Sequence, residues 1–86
     1  MKLKKEFISQ NFGEESLLVP TGAAKFSGLV KGNRTLGVIL EYLKKETSED
    51  EIVVSLKERY DAAEDVLRRD VTRVLNELRN IGALDE

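Results

Sequence analysis

An 86-residue chain with neither cysteine nor histidine has room for one small core, and it cannot rely on disulfides or on the common zinc sites. Its formal charge is only −2, but the charge is unevenly spread: residues 1–45 hold eight Lys/Arg and four Asp/Glu, whereas residues 46–86 hold six and twelve. No apolar run approaches the roughly 20 residues of a membrane span, and the basic start MKLKKEF lacks the apolar stretch of a signal peptide, so a cytoplasmic protein without membrane association is expected.

In chain order, LKKEFISQNF (3–12) mixes β-formers with charge and reads as a first strand. GEE (13–15) is turn-like, and SLLVP (16–20) is a short apolar strand closed by Pro20, which has no amide to donate to a ladder. TGAAK (21–25) is a loop, and FSGLVK (26–31) reads as a third short strand, completing an antiparallel meander.

The pattern changes at Gly32-Asn33. Asn33 is a candidate N-cap, and Leu36, Ile39, Leu40 and Leu43 recur at helical spacing, which predicts a first helix over about 34–45. Gly37 inside it should lower stability by about 1 kcal/mol relative to Ala, unless another element packs closely over it. Ser48 followed by Glu51 is a capping-box pattern, and Ile52, Val53, Leu56 and Tyr60 form the inner stripe of a second helix over about 49–60. Asp61, with Glu64 three residues on, is a candidate cap for a third helix. Leu67, Val71, Val74, Leu78 and Ile81 make its stripe, Gly82 is placed to stop it, and Leu84 can fold back onto the core.

The expected fold is therefore α+β: a three-stranded antiparallel sheet followed by three helices, winged helix-turn-helix-like, with residues 1–86 as one domain. Catalysis is not expected. The usual bases and nucleophiles His and Cys are missing, and capping accounts for Asp61, Glu64 and Asp65. GLVKGN lacks the length and the Lys-Ser/Thr ending of a phosphate loop, and no cofactor or metal is anticipated.

The third helix carries Arg68, Arg69, Arg73 and Arg79, which raises the alternative of a winged-helix DNA-binding protein. These arginines lie in the acidic half, interleaved with Asp70 and Glu77, and a duplex reader needs a basic field, so nucleic acid is not the expected partner. With the stripe facing the core, Val66, Asp70, Arg73 and Glu77 line one flank, and Arg68, Thr72 and Arg79 the other. Glu77 is placed to pair with Arg73 at i,i+4. Val66 sits off the stripe and suits the wall of a groove. FSGLV at the edge of a meander offers the other wall, able to accept a strand from another chain, with Gly28 leaving room for close backbone approach; the alternative is an edge covered by the chain's own third helix. Pairing of two such edges into a homodimer is a further alternative.

Over nearly the whole chain the sequence resembles PqqD-like proteins, also described as RiPP recognition elements. LLVPTG (17–22) is similar to the family's apolar strand, Pro and turn. GNRTLGVILEYL (32–43) resembles its Asn, small residue and Ile-x-x-Leu helix, and ETSEDEIVVSLKERYD (46–61) its Thr-rich cap and Tyr-Asp ending. RRDVTRVLNELRNIGAL (68–84) resembles the closing Asp-Val, Leu-x-x-Leu, Gly-x-Leu signature. Two positions depart from the family pattern: Gly32 stands where Leu is common, and KKET replaces a frequent Gly between the first two helices.

The resemblance implies a non-catalytic peptide chaperone. Such a domain binds the leader of a ribosomally made precursor peptide as an added strand and presents it to a radical SAM or other maturation enzyme. Carried onto this chain, Ser27, Gly28, Leu29 and Val30 would form one wall of the peptide channel, and Val66, Arg69, Asp70 and Arg73 the other. Arg69 and Arg73 would hold acidic leader side chains by charge-assisted bonds. Because a flexible leader must be ordered on binding, micromolar affinity, about 8 kcal/mol, is expected.

Overall fold

The computed structural model describes residues 1–21 and 30–86. Its elements are β1 (Lys2–Leu3), β2 (Phe7–Phe12), β3 (Glu15–Pro20), β4 (Val30–Gly32), α1 (Arg34–Tyr42), α2 (Glu49–Arg59), α3 (Glu64–Asn80) and β5 (Leu84–Asp85). The order β2-β3-β4 forms the antiparallel three-stranded sheet, and β1 pairs with β5 in a separate two-stranded one. A three-stranded sheet followed by three helices is thus the observed α+β architecture.

The single strand expected over 3–12 is divided. Phe7 N–H donates to Lys4 O at 3.1 Å, turning the chain, while Leu3 N–H donates to Leu43 O and Lys4 N–H to Ala83 O, both at 2.8 Å. Distant backbone partners therefore take the first residues away from the meander. β2 and β3 are joined by Gly13 and Glu14, with Phe12 paired to Glu15. Gly13 has φ +62 and Glu14 is not in the left-handed region, the sign pattern of a type II′ turn, whose twist matches that of the strands. Pro20 is the last residue of β3, opposite Phe7. Of the expected third strand over 26–31, residues 26–29 lie outside the described residues, and β4 pairs Val30 with Leu18, Lys31 with Leu17 and Gly32 with Ser16.

Asn33 caps α1 as expected, its Oδ1 accepting from Leu36 N–H at 3.2 Å. The helix ends at Tyr42, earlier than the predicted 45, and Lys44–Thr47 form its link to α2. Gly32 faces Leu36: a Cβ there would lie 2.5 Å from Leu36 Cδ2, so leucine's space is taken up by the following helix. Gly37 is buried beneath the β2–β3 hairpin, where an added Cβ would meet Ser16 Oγ at 2.2 Å and Asn11 Oδ1 at 2.7 Å. Close packing of another element is thus the reason for this helical glycine.

Ser48 caps α2 through its Oγ, which accepts from Glu51 N–H at 3.2 Å. Asp61, in contrast, does not cap α3. Tyr60 is extended, the helix begins at Glu64, and Ala63 occupies the cap position without a side-chain bond. Glu64 and Asp65 still place negative charge at the positive end of the helix. Gly82, at φ +73, closes α3, and Ala83 N–H donates to Leu78 O at 2.8 Å. That reversal brings Leu84 back to the core and to its pairing with Leu3.

The core joins Leu18 of the sheet, Leu36, Ile39, Leu40 and Leu43 of α1, Ile52, Val53 and Leu56 of α2, and the α3 stripe. In α3 the fully buried positions include Leu75, absent from the expected stripe, whereas Ile81 is only partly buried. Phe7 completes the cluster from β2. No described helix is long and apolar enough to cross a membrane.

Candidate peptide-binding edge

α3 has one buried face and two flanks, and α2 occupies only one of these flanks. On that side Arg68 Nη1 donates to Asp50 Oδ1 at 2.8 Å and stands 3.6 Å from Glu49 Oε2. Thr72 Oγ1 donates to Glu49 Oε1 at 3.3 Å. Farther along, Arg79 binds Glu86 through Nε and Nη2 at 3.0–3.1 Å. The hydrogen bond from Asp50 raises the Arg68 pKa, and that from Glu86 raises the Arg79 pKa. Two of the four arginines are thus hydrogen-bonded to acidic neighbours within the chain, which offsets the positive field a phosphate backbone needs.

The opposite flank carries Val66, Asp70, Arg73 and Glu77. Val66 is 45% exposed, leaving an apolar side chain open to solvent beside the core stripe. Asp70 is half-buried and Arg73 exposed, with Nη2 of Arg73 3.7 Å from Asp70 Oδ1. The expected Arg73–Glu77 pair does not form, because Asp70 one turn earlier takes the guanidinium. Arg69 is exposed on the outer side of the helix and makes no ion pair among the described residues.

The other expected wall is the third strand. β4 pairs with β3 on one side only, so among the described residues its outer edge has no backbone partner. Val30, the first described residue of this strand, packs partly buried against the core, while Lys31 is exposed. Ser27, Gly28 and Leu29 lie outside the described residues. Strand order alone left two outcomes for this edge, open or covered by the chain's own third helix. The role of Glu49 and Asp50 was not legible, since only the folded chain reveals that they hold the opposite flank of α3.

Among the described residues, concavities lie elsewhere as well. One of about 310 Å³ is bounded by Asn11 and Ser16 of the hairpin, Arg34 and Val38 of α1, and Arg59. Another of about 270 Å³ is bounded by the N-terminal segment and Lys44. Among the described residues no group of three or more His, Cys, Asp or Glu could hold a metal ion.

Residues 17–84 match the sequence model of the family described as coenzyme PQQ synthesis protein D (PqqD). Among curated proteins, none matches. Two solved structures share the fold. One, described as TbiB1 in complex with the TbiA(beta) leader peptide, is 20% identical, with a TM-score of 0.76 covering 99% of this chain and 100% of the other. The second, described as lasso peptide synthetase B1 complexed with the leader peptide, is 17% identical, with a TM-score of 0.73 covering 95% and 93%.

Proposed function

The chain belongs to the PqqD family, and from that premise we propose that it is a non-catalytic peptide chaperone. It binds the leader of a ribosomally synthesised precursor peptide by strand addition and presents the peptide to a separate modifying enzyme, of the radical SAM class or another maturation class. The observation that carries this reading is β4, hydrogen-bonded to a neighbour on only one side among the described residues. An added strand would satisfy its outer amides and carbonyls, giving affinity, while side-chain pockets would give selectivity. Both solved neighbours with this fold are described as leader-peptide complexes, which supports the choice of ligand.

In this reading the leader lies antiparallel to β4 and to the strand expected to extend it through Ser27, Gly28, Leu29 and Val30. Its side chains meet Val66, Arg69, Asp70 and Arg73 on α3. Val66 supplies an apolar contact, and Arg69 and Arg73 receive acidic leader residues. A homodimer built on the same edge would compete with the leader, so leader binding dissolves it.

The test is calorimetric titration with a synthetic leader of the precursor encoded beside this chain's gene. Micromolar affinity is expected. Because Val66 is exposed, Val66→Glu should leave folding within about 0.5 kcal/mol of wild type. It should weaken the leader tenfold or more, about 1.4 kcal/mol. No binding by the wild-type chain, or equal binding by the variant, refutes the proposal.

A further inference from the structure

A second surface, unused by the peptide reading, lies on the N-terminal segment and the outer face of the sheet. Leu3, Phe7 and Ile8 help bound the cavity of about 270 Å³, together with Lys4, Lys5 and Lys44. The segment that bears them is held in place at Leu43 and Ala83 by the backbone bonds of Leu3 and Lys4. Among the described residues Lys4 and Lys5 form no ion pair, whereas Lys44 reaches Glu41 at 3.1 Å. Lys4 and Lys5 thus stand beside an apolar hollow without a direct ion pair among the described residues, with Glu6 and Asp85 bordering the neighbouring concavity.

The apolar surface does not end at the cavity. Alternate residues of a strand share a face, so Ile8, Gln10 and Phe12 lie together on the side of β2 away from buried Phe7. Ile8 is 48% exposed and Phe12 58%. The register sets Val19 opposite Ile8, Leu17 opposite Gln10 and Glu15 opposite Phe12. Ile8, Val19, Leu17 and Phe12 therefore form a continuous strip from the lysines across the outer face of the sheet. Single exposed apolar residues are ordinary, but a contiguous strip rimmed by charge marks an interaction surface.

We infer that this surface docks the modifying enzyme, through an enzyme segment bearing an apolar anchor flanked by Asp or Glu. The inference rests on the function proposed above. Charge complementarity selects an acidic segment, since the unpaired lysines would be offset by it. Position selects the enzyme. A leader added at the free edge of β4 becomes the fourth strand of the same sheet, roughly 15 Å from β2 at ~4.8 Å per strand. An enzyme seated on the outer face would then lie beside the peptide it must modify. A second copy of the chain could offer its acidic half to the lysines. That contact would make the chain self-associate, in a reciprocal dimer, a ring or an open chain according to its geometry.

The test uses two variants, K4E/K5E and I8T, the latter keeping a β-branched residue in the strand. Binding of each to the purified modifying enzyme encoded beside this chain's gene is measured at low and high salt, with leader affinity measured in parallel. The expected result is enzyme affinity at least tenfold weaker in both variants, wild-type enzyme affinity falling with salt, and leader affinity within twofold of wild type. Enzyme binding by either variant equal to that of wild type overturns the inference. So does sizing that finds concentration-dependent self-association of the wild type which K4E/K5E abolishes, because that result assigns the surface to a second copy. Absent leader binding by the wild type refutes the functional reading instead, and the enzyme-binding comparison still decides the docking surface.

Discussion

Gly37→Ala sets two local effects against each other, and the structure decides which wins. Alanine improves helix propensity by about 1 kcal/mol. Its Cβ, however, would sit 2.2 Å from Ser16 Oγ, 3.2 Å from Ser16 Cβ and 2.7 Å from Asn11 Oδ1. Asn11 is exposed and can turn aside, but Ser16 is only 2% exposed and its side chain is too short to swing clear. Displacing its hydroxyl breaks the 2.9 Å bond donated to Asn11 Oδ1, a loss of about 1 kcal/mol. Overpacking of the hairpin against α1 adds about 1–3 kcal/mol. The net effect is destabilisation by about 1–3 kcal/mol. Urea unfolding reads it directly: at a slope near 1 kcal/mol/M, the midpoint falls by about 1–3 M with the slope unchanged. In a Ser16→Ala background the offending oxygen is gone, so the penalty for Gly37→Ala should shrink by at least about 1 kcal/mol. A stabilised Gly37→Ala variant, or an equal penalty in both backgrounds, refutes this account of how the hairpin seats on α1.

Gly82→Ala should destabilise by about 1 kcal/mol through backbone strain at φ +73, since nothing lies within 4 Å of the added carbon; an unchanged urea midpoint would contradict this. Arg79 holds the Glu86 carboxyl below its ordinary value of 4.5, mainly by hydrogen bonding. A lowered folded-state value means stability that is complete above the ordinary carboxylate range and fades as pH falls through the lowered value. The wild type should therefore exceed Glu86→Gln in stability at neutral pH, with the difference disappearing in acid, and a pH-independent difference would contradict the assignment.

What the sequence made legible was mostly local. Asn33 and Ser48 could be recognised as caps because the amides they serve lie three residues away. Gly82 was legible for the same reason, as the residue able to reverse the chain after the last turn. Asp61 misled because the spacing of a capping box says nothing about where the chain is free to start coiling. Here the extended Tyr60 and the link to Ala63 delay the start until Glu64. Leu75 fell outside the expected stripe because that reading followed one line along the helix, whereas the buried face is wide enough to include its neighbour. The β1–β5 pairing was invisible, because two-residue strands have no periodicity and their partners are more than eighty residues apart. The candidate site divides along the same line. Val66 stood out as an apolar residue off the stripe, whereas strand order placed the third strand at an edge without deciding whether the last helix covers it. Which flank of α3 α2 would occupy depended on Arg68 reaching Glu49 and Asp50 across the interface.

The most direct test of strand addition is to follow the backbone amides of the isotope-labelled chain by NMR while its leader is titrated in. The account predicts shifted resonances at Val30 and Lys31, slowed hydrogen exchange at the one of the two whose amide points away from β3, shifts from Val66 through Arg73, and cross-strand contacts between leader backbone and β4. Saturable leader binding that leaves these amides unmoved, with shifts confined to other surfaces, would contradict it.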